Sequence, residues 1–403
     1  MKTILLICDG MADEPVEQLG GKTPLETAKT PQMDRLAREG RLGLARTIPS
    51  GMRASREVAA MGLLGYDPRK YYPGRGPLEA AYWGIPVNPG EVVFRCNLVT
   101  VDGDRLIDDL AGRISSEESE PLMEKIAKDL SSEGIRFFPG RQYRHAAVFS
   151  APEDTTGLMK TVCRPAFEMG GQPLDPYWPK GPAGARLQEL MRRSRELLSA
   201  NEVNQVRVDL GENPANMIWL WGQGTQQPIP SVKERWKIKG AVISGSDVIK
   251  GAGRVVGLRV EEIPSATGNA ETDQSERAEA AIRCLADQDL IFIHSEAAHA
   301  GIYPDDLRQK ISAIELFDRL VVGPVLEKAR SLGPVRVMVA TDHPVLIEKR
   351  ICTDQPVPLL VWGDGIPSGS AEQFGETQAK AGGWMVENPQ DLLPRLIAGE
   401  TIV

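Results

Sequence analysis

The chain is poor in the features that would tie it to a membrane, an oxidising compartment or a nucleic acid. No apolar stretch approaches the roughly 20 residues that span a bilayer. The first apolar run, residues 4–8, is too short for a secretory signal and is followed by no small-residue cleavage site. The five cysteines (Cys8, Cys96, Cys163, Cys284, Cys352) are odd in number, scattered and without a C-x-x-C pair. That argues for reduced thiols and a cytoplasmic address. Net charge is −8 with no long run of Lys or Arg, so a polyanion is repelled and nucleic acid is not expected as a partner. No fixed-period repeat is present. Neither a Walker A motif nor a G-x-S-x-G elbow occurs. Lys250-Gly251-Ala252-Gly253-Arg254 with Gly257 has the wrong spacing for a dinucleotide loop and follows a helical pattern.

What is present is an ordinary globular composition, 41% hydrophobic and 25% charged over 403 residues. That length holds one large core and a second, smaller one. Short apolar runs end in polar or Gly-containing segments, the pattern of buried strands in a parallel sheet. Residues 4–8 lead into Asp9-Gly10, and Ala241-Val242-Ile243 into Ser244-Gly245. Leu290-Ile291-Phe292-Ile293 leads into His294-Ser295-Glu296, and residues 335–340 into Thr341-Asp342-His343. Helical stretches at 31–39 and 306–319 lie between, so a doubly wound α/β sheet is expected.

The middle reads differently. An acidic helix start (Ser115-Ser116-Glu117-Glu118) precedes a hairpin expected over 135–138 and 145–149 around Pro139-Gly140. A Pro/Gly-rich link at 170–184 and a helix carrying Leu187, Leu190, Met191, Leu197 and Leu198 follow. This predicts a smaller α+β domain at 113–215 inserted into a core domain formed by 1–112 and 216–403. The main sheet is expected to resume at Met217-Ile218-Trp219-Leu220-Trp221.

Ligands of such sheets bind beyond the carboxyl ends of the strands. Asp9, His294, Glu296, Asp342 and His343 qualify by position. Asp9, Asp342 and His343 offer carboxylate and imidazole ligands that suit Mn²⁺ or Zn²⁺. The competing reading is a helix or turn cap at Asp9 and plain loop polarity at Asp342-His343. Position alone leaves the two even. His299 lies close to His294, and only four histidines occur in all. Gly-flanked Arg75, Arg113 in Ala111-Gly112-Arg113-Ile114, and Arg144 beside His145 are candidate anion binders, since guanidinium forks match phosphate and carboxylate. For any single one of them, the reading as a solvated surface residue prevails.

Certain blocks are more specific. Residues 1–38 contain Cys8-Asp9-Gly10-Met11-Ala12-Asp13 and Leu19-Gly20-Gly21-Lys22-Thr23-Pro24-Leu25-Glu26. Further blocks are Leu64-Gly65-Tyr66-Asp67-Pro68, Gly74-Arg75-Gly76-Pro77-Leu78-Glu79-Ala80, Ala111-Gly112-Arg113-Ile114-Ser115, Asn213-Pro214-Ala215-Asn216, Trp219-Leu220-Trp221-Gly222-Gln223-Gly224 and Thr341-Asp342-His343-Pro344. Together they resemble the archaeal-type 2,3-bisphosphoglycerate-independent phosphoglycerate mutases, some bacterial relatives of which are labelled proposed homoserine kinases. The resemblance runs nearly the whole length. It implies an alkaline-phosphatase-type fold with an inserted substrate domain, a serine nucleophile and two divalent metals that activate it and neutralise phosphoryl charge.

The chain departs from that pattern at several places. Ser55-Arg56-Glu57 aligns with the family's Gly-Ser-Asp, so Arg56 takes the nucleophile position. His299, Tyr303 and Cys352 stand where one metal's Asp, His and His belong, and Ala166-Phe167-Glu168 stands for a Pro-His-Asp. Asp9, Asp342 and His343 match. The resemblance therefore implies Arg56 as a cation directed at Asp9 and Asp342 in place of a metal, and one divalent ion, Mn²⁺ or Zn²⁺, rather than two. The expected function is a diverged, repurposed member that acts on or binds a small phospho- or phosphono-acid without the two-metal phosphoserine step. His299, Cys352 and Arg56 are its candidate reacting groups, and Arg75, Arg113, Arg144 and His145 its substrate contacts. Two alternatives stay open: a non-catalytic binding protein, and a working mutase that uses Ser55.

Overall fold

A computed structural model describes residues 1–132, 134–150, 154–263, 274–300 and 307–402. The chain divides into two units, Met1–Tyr72 with Ile229–Val403, and Pro73–Pro228. Among the described residues no helix is long and apolar enough to cross a membrane.

The larger unit is built on an eight-stranded sheet. Its order is Met385–Val386, Arg41–Ala45, Val357–Gly363, Val335–Ala340, Lys2–Cys8, Leu290–Ser295, Gly240–Ile243 and Arg259–Glu261. The pairing is parallel except where Val357–Gly363 meets its two neighbours. The central strand shows why a near-continuous apolar run was needed. Ile4, Leu5, Leu6, Ile7 and Cys8 are all fully buried, because helices cover both faces of a mostly parallel sheet. One face packs against Pro31–Glu39 through Met33, Leu36 and Ala37, and against Gly323–Arg330 through Val325, Leu326 and Ala329. Thr30 gives the first of these helices no side-chain cap. Asp318 does so from a distant turn, accepting from the backbone N–H of Gln32 at 3.1 Å and of Met33 at 2.7 Å.

The smaller unit is an antiparallel sheet under helices Ser116–Leu130 and Gly184–Ser199. A capping box between Ser115 and Glu118 starts the first of them, as the Ser-x-x-Glu spacing predicts. The central strand, Val92–Asp102, pairs with Arg105–Asp108, Arg144–Phe149 and Met217–Thr225.

The observed boundaries correct the expected insertion of 113–215. The smaller unit begins 40 residues earlier, at Pro73 rather than 113, and ends 13 later, at Pro228 rather than 215. Met217–Thr225, whose first residues were expected to resume the main sheet, instead pairs with Val92–Asp102. A buried apolar run looks the same in either sheet; only its hydrogen-bond partner assigns it. The hairpin forms, but over Ile135–Arg141 and Arg144–Phe149, with its turn at Gln142-Tyr143. Gln142 takes a left-handed φ of 55°, and an irregularity between Phe138 and Arg141 absorbs Pro139-Gly140 within the strand.

Candidate active site

Three neighbouring parallel strands of the larger unit end together. Ile7 is in register with His294 and Ala340, and Cys8 with Ser295. Asp9, Glu296 and Thr341-Asp342-His343 therefore leave the sheet along one edge. Gly10 has φ +76°, and a Cβ there would lie 2.8 Å from the His299 Cα. Glycine is what lets the loop after the first strand touch the His299 backbone. Thr341 Oγ1 accepts from Met11 N–H at 3.2 Å, and the Thr47 hydroxyl donates to the Asp342 carbonyl. Lys310, fully buried, donates to Asp13 Oδ2 at 2.7 Å and to the Val345 carbonyl at 2.6 Å, which ties these two loops from below.

Asp9 is the hub. An Arg56 guanidinium nitrogen lies 3.0 Å from Asp9 Oδ2, and His299 Nδ1 lies 3.2 Å from Oδ1. His343 Nδ1 is 3.9 Å from the same Oδ1. Burial opposes the charge on Asp9, but Arg56 and then His299 hold its carboxyl well below the ordinary carboxylate value. Asp342 is the second hub. His294 bridges it, with Nε2 at 2.7 Å from Asp342 Oδ2 and Nδ1 at 3.1 Å from Glu296 Oε1. Arg277 donates to Glu296 Oε2 at 2.5 Å, and Ser244 Oγ to Oε1 at 2.5 Å. Burial alone would neutralise His294, yet Asp342 and Glu296 on either side push its pKa up to about 10. Burial and the nearby Asp9 charge raise Asp342 to about 6. At neutral pH both members of that pair are charged. Three carboxylates, Asp9, Asp342 and Glu296, thus face three cations, Arg56, His294 and Arg277.

The resemblance implies two divalent metals, and the side chains test that. Ligand atoms of Asp9, Asp342 and His343 lie within 4.8 Å of one another, and so do those of His299, His343 and Cys352. Asp342 Oδ1 and His343 Nδ1 are buried without a hydrogen-bond partner, and Asp9 Oδ2 meets Arg56 without hydrogen-bond alignment. Such orphaned atoms ask for a cation. Both groups draw on His343, and a guanidinium already stands at one edge of the first. The donor set fits one cation better than a pair. Bound there, a divalent ion would act as a Lewis acid toward an anionic oxygen.

Cys352 lies on Ile351–Cys352, paired with Val345–Leu346, which brings it beside His343. Burial, and after it the Asp9 charge, pushes its thiol up to about 11. It is therefore a protonated thiol at neutral pH and not a poised nucleophile. Ser55 is the residue before helix Arg56–Leu63 and makes no capping hydrogen bond. Tyr303 lies outside the described residues.

The smaller unit gathers a different cluster. Arg75 opens helix Arg75–Trp83, and Gly74, with φ +105°, lets it start tightly against Gln223, whose carbonyl oxygen would be 2.6 Å from a Cβ. Arg75 Nε donates to Glu79 Oε1 at 3.1 Å, and Arg95, fully buried in mid-strand, donates to the same oxygen. Arg144 adds a third charge, and Trp221 and Tyr143 face the guanidiniums at 5.2–5.9 Å. Burial opposes ionisation of Glu79, but Arg95 and Arg75 hold it below the ordinary range. His145 is not at the surface of this cluster. It is fully buried, its Nδ1 accepting from Gly140 N–H at 3.0 Å, and burial lowers its pKa to about 3. That corrects its expected role as a substrate contact: it holds the hairpin. Arg113 is exposed on a turn where Ala111, Gly112 and Arg113 have φ of 49°, 65° and 54°. Arg207 clamps that turn through the Ala111 carbonyl at 3.2 Å. Phe167 packs edge-on against Trp221 with ring centres 5.6 Å apart. Sequence reasoning missed Arg95, Glu79 and Arg277. Only the run Arg95-Cys96-Asn97, polar positions inside an apolar strand, hinted at the first.

Comparison with known proteins decides the family. The family model for 2,3-bisphosphoglycerate-independent phosphoglycerate mutase matches residues 37–204. A protein of that name from Methanothrix thermoacetophila is 43% identical over 99% of this chain and 100% of its own length. This chain belongs to the 2,3-bisphosphoglycerate-independent phosphoglycerate mutase family. The probable mutase of Geobacter sulfurreducens is 37% identical over 98% of this chain and 100% of its own. Among solved structures, the PH0037 protein from Pyrococcus horikoshii superposes with a TM-score of 0.80 at 28% identity, covering 98% of this chain and 96% of that one. The cofactor-independent phosphoglycerate mutase of Thermoplasma acidophilum gives 0.59 at 26%, over 98% and 100%. The expected family and the mixed α/β fold with a large, mostly parallel sheet are thus borne out.

Proposed function

We propose that this mutase-family chain binds a small phospho- or phosphono-acid and handles it without a phosphoserine intermediate. One observation carries the reading: the Arg56 guanidinium stands 3.0 Å from Asp9 Oδ2, at the position the family resemblance assigns to the nucleophile. A guanidinium neutralises a carboxylate but cannot accept a phosphoryl group, and it stays protonated at any workable pH. The anionic ligand class is supported by three guanidiniums around the single carboxylate of Glu79 in the smaller unit. Guanidinium forks gathered in this way suit a phosphate or phosphonate oxygen set.

The test has two arms. Isothermal titration with 3-phosphoglycerate should show binding that Arg75→Gln weakens. Incubation of the same protein with 3-phosphoglycerate and Mn²⁺ should yield neither 2-phosphoglycerate nor a phosphorylated serine. Turnover together with phosphate on Ser55 would restore the ordinary mutase reading and sink this one.

A further inference from the structure

The larger unit contains a sulfur-bearing ligand set that the phospho-acid reading does not use. His299, His343 and Cys352 offer two imidazoles and a thiol whose ligand atoms lie within 4.8 Å of one another. The two imidazole rings are 5.8 Å apart and tilted by 50°, so they are not stacked face to face. Asp9 Oδ1 lies beside its two imidazoles, at 3.2 Å from His299 Nδ1 and 3.9 Å from His343 Nδ1. The other carboxylate oxygen of Asp9, Oδ2, is the one Arg56 contacts. Asp9 therefore presents one oxygen to a fixed cation and the other to this cluster.

We propose that His299, His343, Cys352 and Asp9 Oδ1 form a single thiolate-containing site for Zn²⁺. The inference rests on the reading that Arg56 holds the Asp9 Oδ2 side, and it goes beyond the ligand set that the family resemblance implies. There, His299 and Cys352 mark places where carboxylate and imidazole ligands are missing, and His343 serves the other metal. Here the same residues make a new set.

Two further arguments place the ion on the sulfur side. A dication on Asp9 Oδ2 would sit against the guanidinium, and like charges at such distances repel strongly in a buried site. On Oδ1 the carboxylate lies between them. Ligand chemistry agrees, because sulfur with two imidazoles and one carboxylate is a soft-to-borderline set that selects Zn²⁺ over Mg²⁺ or Mn²⁺. Tetrahedral zinc with bonds of about 2.0–2.3 Å puts its ligand atoms about 3.3–3.8 Å apart. The His299, His343 and Cys352 ligand atoms, within 4.8 Å of one another, need to close by about 1 Å to reach that spacing, and Asp9 Oδ1 approaches from the imidazole side. Binding forms a Zn–S bond and releases the thiol proton of Cys352 to solvent; no electron is transferred.

The site is built from two local devices. Gly10 brings the His299 backbone against the Asp9 loop, and the short ladder Val345–Leu346 to Ile351–Cys352 returns the chain so that Cys352 faces His343. Lys310 fixes the base of both loops through Asp13 and Val345.

The experiment strips the full chain with a chelator and reloads it with Zn²⁺ or Co²⁺. Elemental analysis should give one Zn²⁺ per chain, and the Co²⁺ form should show thiolate-to-cobalt charge-transfer absorption. Cys352→Ser should abolish that band and weaken Zn²⁺ by about 10-fold or more, since even outer partners of a metal ligand are worth about 10–100-fold. A second measurement uses the unaltered chain, in case the variant fails to fold. Alkylation with peptide mapping should show Cys352 labelled in the stripped protein and protected once Zn²⁺ is added. Two ions per chain, a Co²⁺ spectrum without the sulfur band, or labelling of Cys352 indifferent to Zn²⁺ would each overturn the proposal. None of those results bears on whether 3-phosphoglycerate binds or a phosphoserine forms, so the two readings fail separately.

Discussion

The two units hold charged clusters of opposite design. In the larger one, Asp9, Asp342 and Glu296 are matched by Arg56, His294 and Arg277, all but Arg56 essentially without solvent contact. In the smaller one, Arg75, Arg95 and Arg144 act together on Glu79. In the larger set charge is balanced among its own members, and their ion pairs tie the strand ends together. The smaller set gathers positive charge around one carboxylate, a field that favours an anion. Concentrated positive charge points to anion recognition in the smaller unit, whereas the balance in the larger one explains why an Arg is tolerated beside a fully buried Asp9.

The sharpest way to break the comparison is to remove a cation from the matched set. Arg277→Met leaves Glu296 buried beside one fewer positive charge and should cost about 3–5 kcal/mol in urea unfolding. A loss below about 1 kcal/mol would mean the larger cluster is not scaffolding. Next in size is Arg56→Ala, with about 1.5–3 kcal/mol expected for a lost charged contact. Its pH dependence follows from Asp9. The Asp9 carboxyl is depressed below its ordinary value of 3.8. Its contribution is therefore present above pH 3.8 and fades as pH falls toward the folded-state value. The gap between wild type and variant should be widest near neutrality and close in strong acid; a gap that widens in acid would contradict the assignment.

His145 gives a third test. Its folded pKa is about 3 against an ordinary 6.5. The unfolded chain thus binds a proton that the folded one refuses, and stability falls as pH drops from 6.5 toward 3. At pH 5 this group alone should remove about 2 kcal/mol relative to pH 7, and His145→Gln should flatten that part of the profile. The smallest stability effect is expected from the arginine cluster around Glu79. Arg144→Met should change unfolding free energy by less than about 1 kcal/mol while weakening phosphate about 10-fold, roughly 1.4 kcal/mol. If it unfolds the protein instead, the arginine cluster is structural and the contrast between the two clusters disappears.

Much of this was legible in the sequence, for reasons that differ by residue. Asp9, Asp342 and His343 could be found because each follows a fully apolar run, and strand ends of a parallel sheet are where polar residues converge. Arg56 could be found only through resemblance, since an Arg at a helix start carries no signal of its own. Arg95 and Arg277 stayed hidden because each sits inside a regular element, where no turn residue or break in period marks it. His294 was read as the first residue after its strand. It is inside the strand Leu290–Ser295, because two buried acidic partners satisfy a polar residue that apolar patterning would have expelled. The limits of the smaller unit were missed because strand periodicity carries no information about which sheet a strand joins.

The central strand of the larger sheet has a consequence for how the chain is made. Thr3 pairs with Leu290 on one side and Arg336 on the other. At a synthesis rate of about 5–20 residues per second, the first strand waits roughly 15–60 s for a neighbour. During that interval Pro73–Pro228 is complete and can close its own sheet, while the apolar run from Ile4 to Cys8 has nothing to bind. The first strand thus passes most of synthesis without a strand partner, and Arg41–Ala45, whose neighbours begin at Val357, waits longer still.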